Sequence, residues 1–410
     1  MNHLSPDGYL LFGTRLVRMF AYGFLSVVLV LYLAKLGLNE GLIGLLLSLA
    51  LIGDAAISLW MTTNADRFGR RRILIVGAGL MLFAAVLFAL TDNVVLLLTA
   101  AIVGVISPSG YEVGPFLAVE QAALSQIIPD ERRTPVFAWY NLVGSFATAT
   151  GALGGGIFSQ SLQQVGISPA NSYRAVVIGY GAIGLLLAAL FTRLSPLVET
   201  AISDSLPAGY RLGLHRSRGV VLKLSALFGL DAFAGGFVVQ SLVAYWFHVR
   251  FGVEPATLGG IFFGANILAG ISALAAARVA ARIGLVNTMV FTHLPSNFLL
   301  MLVPLMPNLW LATLVLFVRF SISQMDVPPR QSYTMAVVAP DERSAAAGVT
   351  GIARSIGAAI SPGLAGAFLS SPTLFGAPFF VAGGLKVVYD LLLYRSFARG
   401  ERAKAGTSIG

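Results

Sequence analysis

Cysteine is absent from the chain, which excludes disulfides and thiolate metal sites. Charge is scarce as well: Asp, Glu, Lys and Arg make up 11% of the 410 residues, against roughly 25% in a soluble domain. Too few charged side chains remain to cover a water-facing surface. No Gly-x-x-x-x-Gly-Lys-Ser/Thr loop occurs, which disfavours ATP-driven work. No constellation of nucleophile, base and metal ligand stands out, and His248 and His293 read as separate structural residues. No enzyme, metal site or cofactor is expected. The formal charge of +9 does not signal nucleic acid, because in a membrane chain it reflects Lys- and Arg-rich loops on one side.

What the chain has is apolar residue: 57% of positions, a mean hydropathy of +0.82, and 45 glycines suited to close helix packing in lipid. A bilayer core takes about 20 apolar residues per helix. Polar and turn-rich breaks give spans 9–35, 41–63, 73–91, 94–119, 135–160 and 173–195, then 219–248, 256–277, 286–306, 309–335, 345–369 and 375–397. This pattern predicts an all-α membrane protein with twelve transmembrane helices. Residues 1–8 are polar and Tyr9 onward is long enough to cross, so the first helix is expected to be its own insertion signal. With a cytoplasmic N-terminus, 18 of the 27 basic residues fall in inside loops and the C-terminal tail. Only Lys35, Arg174 and Arg250 fall outside. That asymmetry predicts a multi-pass protein of the inner membrane with both termini in the cytoplasm.

The two sets of six spans repeat each other. Arg18-Met-Phe-Ala-Tyr-Gly-Phe24 matches Asp231-Ala-Phe-Ala-Gly-Gly-Phe237, and Ser107-Pro-Ser-Gly-Tyr-Glu112-Val-Gly-Pro115 matches Ser321-Ile-Ser-Gln-Met-Asp326-Val-Pro-Pro329. Pro129-Asp-Glu-Arg132 matches Pro340-Asp-Glu-Arg343, and Ala65-Asp-Arg-Phe-Gly69 matches Ala280-Ala-Arg-Ile-Gly284. The expected organisation is two pseudo-symmetric six-helix bundles, 1–195 and 219–410, joined by a polar linker over 196–218. Parallel six-helix repeats are a transporter pattern, with substrate bound near the midplane.

The loop Asp66-Arg67-Phe68-Gly69-Arg70-Arg71 resembles the signature of the major facilitator superfamily, with Thr62 where the family has glycine. The second copy keeps Arg282 and Gly284 and has Ala281 in place of the acid. The resemblance implies alternating access of two halves. It also implies a cytoplasmic latch in which Asp66 faces a helix N-terminus and Arg70 pairs with it across an interface. Arg67, Gly69 and Arg71 complete that motif, and Arg71 and Arg72 also read as topology anchors. Gly144, Gly151, Gly154, Gly155 and Gly156 resemble the glycine-rich fifth helix of family antiporters, although ordinary small-residue packing explains them equally well. The arginine-Gln-Gly mark of drug:proton antiporters is missing from the fourth helix.

Ionisable residues at bilayer depth are expensive, and each is a functional candidate with a partner. They are Arg15, Arg18, Asp54, Glu112, Glu120, Asp231, Arg319, Asp326, Arg330, Arg354, Lys386 and Asp390. Asp326 has the spacing to pair with Arg319 or Arg330 along one helix face. Glu112 sits among Pro108, Gly110, Gly114 and Pro115, which interrupt regular helix. Arg18 and Asp231 stand at equivalent positions, suiting a cross-half salt bridge or a split polar site. Glu120 reads as a gate or surface group near its helix exit, and Lys386 with Asp390 as a local i, i+4 pair.

The proton-coupling candidates are therefore Asp54, Glu112, Asp231 and Asp326. Those for the substrate cavity are Arg18, Tyr22, Arg319, Arg330, Arg354 and Tyr245, with Phe20, Trp139, Tyr140 and Trp246 as further aromatics. By family analogy, the leading expectation is a monomeric, proton-coupled secondary transporter that exports amphipathic compounds. Its partners are a small-molecule substrate, protons and the lipid bilayer. The alternatives are uptake or exchange of an organic anion held by interior arginines, and a membrane sensor that does not transport.

Overall fold

The computed structural model describes residues 4–199, 216–339 and 342–407, and among these all regular structure is helical. The helices are α1 Pro6–Ser26, α2 Leu29–Lys35, α3 Glu40–Thr63, α4 Ala65–Phe68, α5 Arg70–Leu90, α6 Val94–Val103, α7 Phe116–Ile127, α8 Asp130–Gln164 and α9 Pro169–Phe191. After the linker come α10 Arg218–Gly236, α11 Gln240–Phe251, α12 Pro255–Ile283, α13 Leu285–Leu302, α14 Leu309–Ser323, α15 Val327–Ala336, α16 Arg343–Leu369 and α17 Ala377–Thr407. Linker residues 200–215, and Pro340 and Asp341 of the repeated loop, lie outside the described residues.

Ten stretches are long and apolar enough to cross a bilayer, and α1 with α2, bent by 41°, makes an eleventh. The twelfth segment is α6 and α7, ten and twelve residues long, separated by non-helical residues 104–115. The single helix expected over 94–119 is thus two pieces. Its interruption follows the Pro and Gly cluster, with Gly110 at φ 71° and Gly114 at φ 80°, where L side chains are disfavoured. The second repeat breaks at the same place: α14 ends at Ser323 and α15 resumes at Val327, ahead of Pro328 and Pro329. Leu90, Val95 and Trp310 are among the large apolar side chains left on the outside, 70–81% exposed, as contact with lipid requires.

The chain forms two compact units: Met1–Pro207 with Val239–Phe263, and Ala208–Val238 with Gly264–Gly410. In the first, α1 packs along α8. Gly151 and Gly155 lie against the Phe20 and Phe24 carbonyls, and Gly23 lies against Thr148, so a Cβ at any of the three would clash with backbone. The glycine-rich helix thus serves close helix contact. Residues 239–263 pack on the same unit. Gln240 donates to Ser26 Oγ (2.8 Å), Tyr245 to Glu40 (2.7 Å), and the Ala256 amide to Gln160 (2.9 Å). In the second unit α10 lies along α16 through Gly229 and Gly357, and α13 along α17 through Gly383.

Candidate functional site

Each unit holds one buried ion-paired cluster, and the two have opposite charge patterns. In the first unit the cations come from α1. Arg18 is fully buried and clamps Glu120 with Nη1 and Nη2 at 2.6 and 2.7 Å, while its Nε donates to Glu112 at 2.9 Å. Arg15 reaches Glu112 with Nη1 at 2.5 Å and donates from Nε to the Tyr140 carbonyl at 3.0 Å. Thr14 and the Tyr140 hydroxyl also donate to Glu120. Gly144 makes room for Arg15, since a Cβ there would stand 2.8 Å from its Nε. Two cations meet two carboxylates, and the hydrogen bonds that burial demands are made.

Glu120 is therefore no surface or gate group. The non-helical residues 104–115 carry α7 on to Ile127, so Glu120 lies more than a turn inside a helix and faces α1. Asp54 props the break itself: its Oδ1 accepts from the Gly114 amide at 2.6 Å and from Ser58 Oγ at 3.3 Å. Tyr22 is fully buried, and its hydroxyl donates to the Val113 carbonyl at 3.0 Å.

In the second unit the centre is an anion. Asp231 of α10 takes Lys386 of α17 at 2.5 Å, Arg330 of α15 at 3.1 Å, and stands 3.6 Å from Arg354 of α16. Arg330 also holds Asp326, at 3.0 Å. Behind Asp231 lies His293 of α13, with Nε2 3.9 Å from Asp231 and Nδ1 2.9 Å from Asp390. Asn297 donates to the other oxygen of Asp390 at 2.8 Å. Asp231, Asp326, Lys386 and Arg330 are buried, but the Arg354 side chain is 37% exposed. Its Nη1 donates no hydrogen bond among the described residues.

Several expectations change here. Lys386 and Asp390 do not pair with each other: Lys386 turns to Asp231, and Asp390 to His293 and Asn297. Arg18 and Asp231 each find their ion-pair partners inside their own unit. Asp326 selects Arg330. The gap between α14 and α15 removes the helical register that would bring Arg319 to it, and Arg319 lies over the Phe320 ring at 5.0 Å. His293 belongs to the charge cluster, a role the sequence signals only through its position in an apolar span.

At the signature loop, Asp66 pairs with Arg70 along the chain at 2.8 Å. The anion at the α5 N-terminus is Glu199, which accepts the Arg70 and Arg71 amides at 2.7 and 3.1 Å, where the helix dipole favours negative charge. Arg70 Nη1 adds Gln126 at 2.7 Å and the Val198 carbonyl at 3.1 Å. Gly69, at φ 96°, turns the chain beneath that carboxylate. Arg67 is exposed over Phe68, and Arg71 reaches the Leu194 carbonyl at 3.4 Å.

Ten apolar stretches and an eleventh made by α1 with α2 define a multi-pass membrane protein, with buried charges paired inside each unit. The sequence profile of the Major Facilitator Superfamily matches residues 11–362, and the chain belongs to that family. An uncharacterized membrane protein of Saccharomyces cerevisiae is 30% identical over 419 residues, covering 95% of this chain and 93% of its own. A Na(+), Li(+), K(+)/H(+) antiporter of Planococcus maritimus is 31% identical over 119 residues, 29% of this chain and 28% of that protein. Among solved structures, a bacterial homologue of the human lysosomal transporter Spinster, inward-facing and occupied, superposes with a TM-score of 0.71 at 16% identity, covering 97% and 96% of the two chains. The nucleoside transporter NupG gives 0.71 at 13% identity, covering 96% and 99%. At such identities the likeness is one of fold.

Proposed function

We propose that the chain is a proton-coupled secondary transporter of a small organic anion, working by alternating access and favouring uptake. The observation that carries the substrate class is Arg354. Three cations stand around Asp231, and of the cluster's three carboxylates Asp390 is turned to His293 and Asn297. Arg354 is the exposed member: its side chain is 37% exposed, although the Nη1 that faces Asp231 at 3.6 Å is itself buried. The exposed remainder of that guanidinium matches a carboxylate, sulfonate or phosphate, which an arginine binds through paired N–H groups. Arg18, the other leading anion receiver, is spent on Glu112 and Glu120.

Export of amphipathic compounds has no comparable feature in its favour. The Tyr22 and Tyr245 hydroxyls are engaged by Val113 and Glu40, and Trp139 is exposed. The partial relative that exchanges alkali cations for protons supports a proton as the coupling ion. Of the four candidate acids, Asp231 is the one whose counter-ions an incoming anion would draw away, so coupling runs through its cluster. The basic-residue asymmetry supports an orientation with both termini in the cytoplasm.

Counterflow into proteoliposomes of radiolabelled taurocholate, p-aminohippurate and glycerol 3-phosphate tests this reading. At least one is expected to exchange faster than in protein-free vesicles, and Arg354→Gln should slow it by about tenfold or more. A folded wild-type protein that moves none of the three overturns the assignment.

A further inference from the structure

His293 stands between two carboxylates, Asp390 and Asp231. Its Nδ1 lies 2.9 Å from Asp390 Oδ1 and 3.3 Å from Asn297 Nδ2; against an ionised Asp390, which only accepts, Nδ1 carries the ring hydrogen. The opposite tautomer would set two acceptors in contact at that distance. In the neutral ring, Nε2 is then a lone pair facing Asp231 Oδ1 across 3.9 Å. That distance is an ion-pair separation, longer than a hydrogen bond, and Asp231 Oδ1 already accepts from Lys386. Against this ring stand Asp231 from α10 and Tyr389 and Asp390 from α17; Asp231 in turn meets Lys386 of α17, Arg330 of α15 and Arg354 of α16, and Arg330 holds Asp326. The remaining neighbour helix, α14, contributes Arg319 as its one charged side chain. With His293 neutral, the cluster balances three carboxylates against Lys386, Arg330 and Arg354.

We infer that His293 carries the coupling proton on Nε2, and that this proton and a substrate anion bind together. The inference rests on the reading of the chain as a proton-coupled anion transporter. An anion on Arg354 adds one negative charge and draws a counter-ion from Asp231. A proton on His293 restores the balance and sets a positive charge 3.9 Å from Asp231. By linkage the converse holds: a protonated His293 supports Asp231 and frees Arg354 for the anion. The two ligands then cross in the same direction, as symport, and an inward proton gradient drives uptake. Lys386 and Arg330 stay on the carboxylates throughout and hold α10, α15 and α17 together.

The test uses the full chain in liposomes with pyranine trapped inside, each of the same three anions in turn, and parallel radiotracer uptake. Taurocholate is permanently ionised, so any proton that moves with it is the protein's. The wild type should move about one proton per anion, and in His293→Gln that ratio should fall about tenfold or more. If removing the ring destabilises the fold by leaving Asp390 unpaired, His293→Gln with Asp390→Asn keeps a neutral hydrogen-bonded pair and must show the same loss. A wild-type ratio in either folded variant overturns the assignment to His293 while leaving anion transport standing. Wild-type transport without proton movement does the same. Failure of the wild type to move any of the three anions removes both this inference and the function beneath it.

Discussion

Asp231 on α10 and Lys386 on α17 meet at 2.5 Å, and the same carboxylate takes Arg330 and faces Arg354. One side chain is thus the counter-ion for three cations on three other helices. Breaking a buried pair from one side costs about 3–5 kcal/mol, because the partner is left charged and dry. Asp231→Asn should therefore lower the thermal unfolding midpoint in detergent sharply and abolish transport. Lys386→Met added to Asp231→Asn should recover part of the lost stability, a coupling of about 1–3 kcal/mol in a double-mutant cycle. Additive losses would show that the pair does not matter.

The Arg18 and Glu120 pair makes the parallel case in the first unit. Both side chains are fully buried and joined by two hydrogen bonds. Glu120→Gln leaves Arg18 with Glu112 as its remaining carboxylate, one it shares with Arg15, and should destabilise by about 3–5 kcal/mol. A surface or gating glutamate would tolerate the change within about 0.5 kcal/mol. Thermal unfolding of the purified variant separates the two.

Helix contact through glycine gives a prediction with an internal control. Gly151→Val forces branched carbons into the Phe20 carbonyl, and overpacking of this kind costs about 1–3 kcal/mol or more. Gly79 on α5 has open space where its Cβ would be, so Gly79→Ala should gain up to about 1 kcal/mol from helix propensity. Comparing the two unfolding midpoints tests whether glycine serves α1–α8 packing specifically.

Glu199 should matter more than Asp66 for holding the start of α5. Glu199→Gln removes charge from a carboxylate that accepts two backbone amides, and should cost about 1–2 kcal/mol. Hydrogen exchange at the Arg70 and Arg71 amides should speed up accordingly, whereas Asp66→Asn, at an exposed i, i+4 pair, should leave those amides protected.

The positions that were legible in the sequence share a cause. Hydropathy alone marks the spans, and the Pro and Gly cluster around Glu112 announces the break between α6 and α7. The repeat pairs Arg18 with Asp231 and Glu112 with Asp326, and these four do lie in the two clusters. What escaped depends on register. Once residues 104–115 leave the helix, the face of α7 no longer follows from α6, and Glu120 is misplaced. Lys386 and Asp390 satisfy the spacing rule for a local pair, but α10 and α13 supply stronger partners that no local rule contains. Glu199 and His293 are visible as residues and gain meaning only from what folds against them.

The substrate assignment stands or falls on Arg354, and the concentration dependence of anion counterflow measures it most directly. In proteoliposomes, half-saturation for whichever of the three anions is transported should rise about tenfold or more in Arg354→Gln. Arg354→Lys should fall between that variant and the wild type, because an ammonium keeps the charge without the paired N–H groups. Folded Arg354→Gln with wild-type half-saturation and rate would contradict the account.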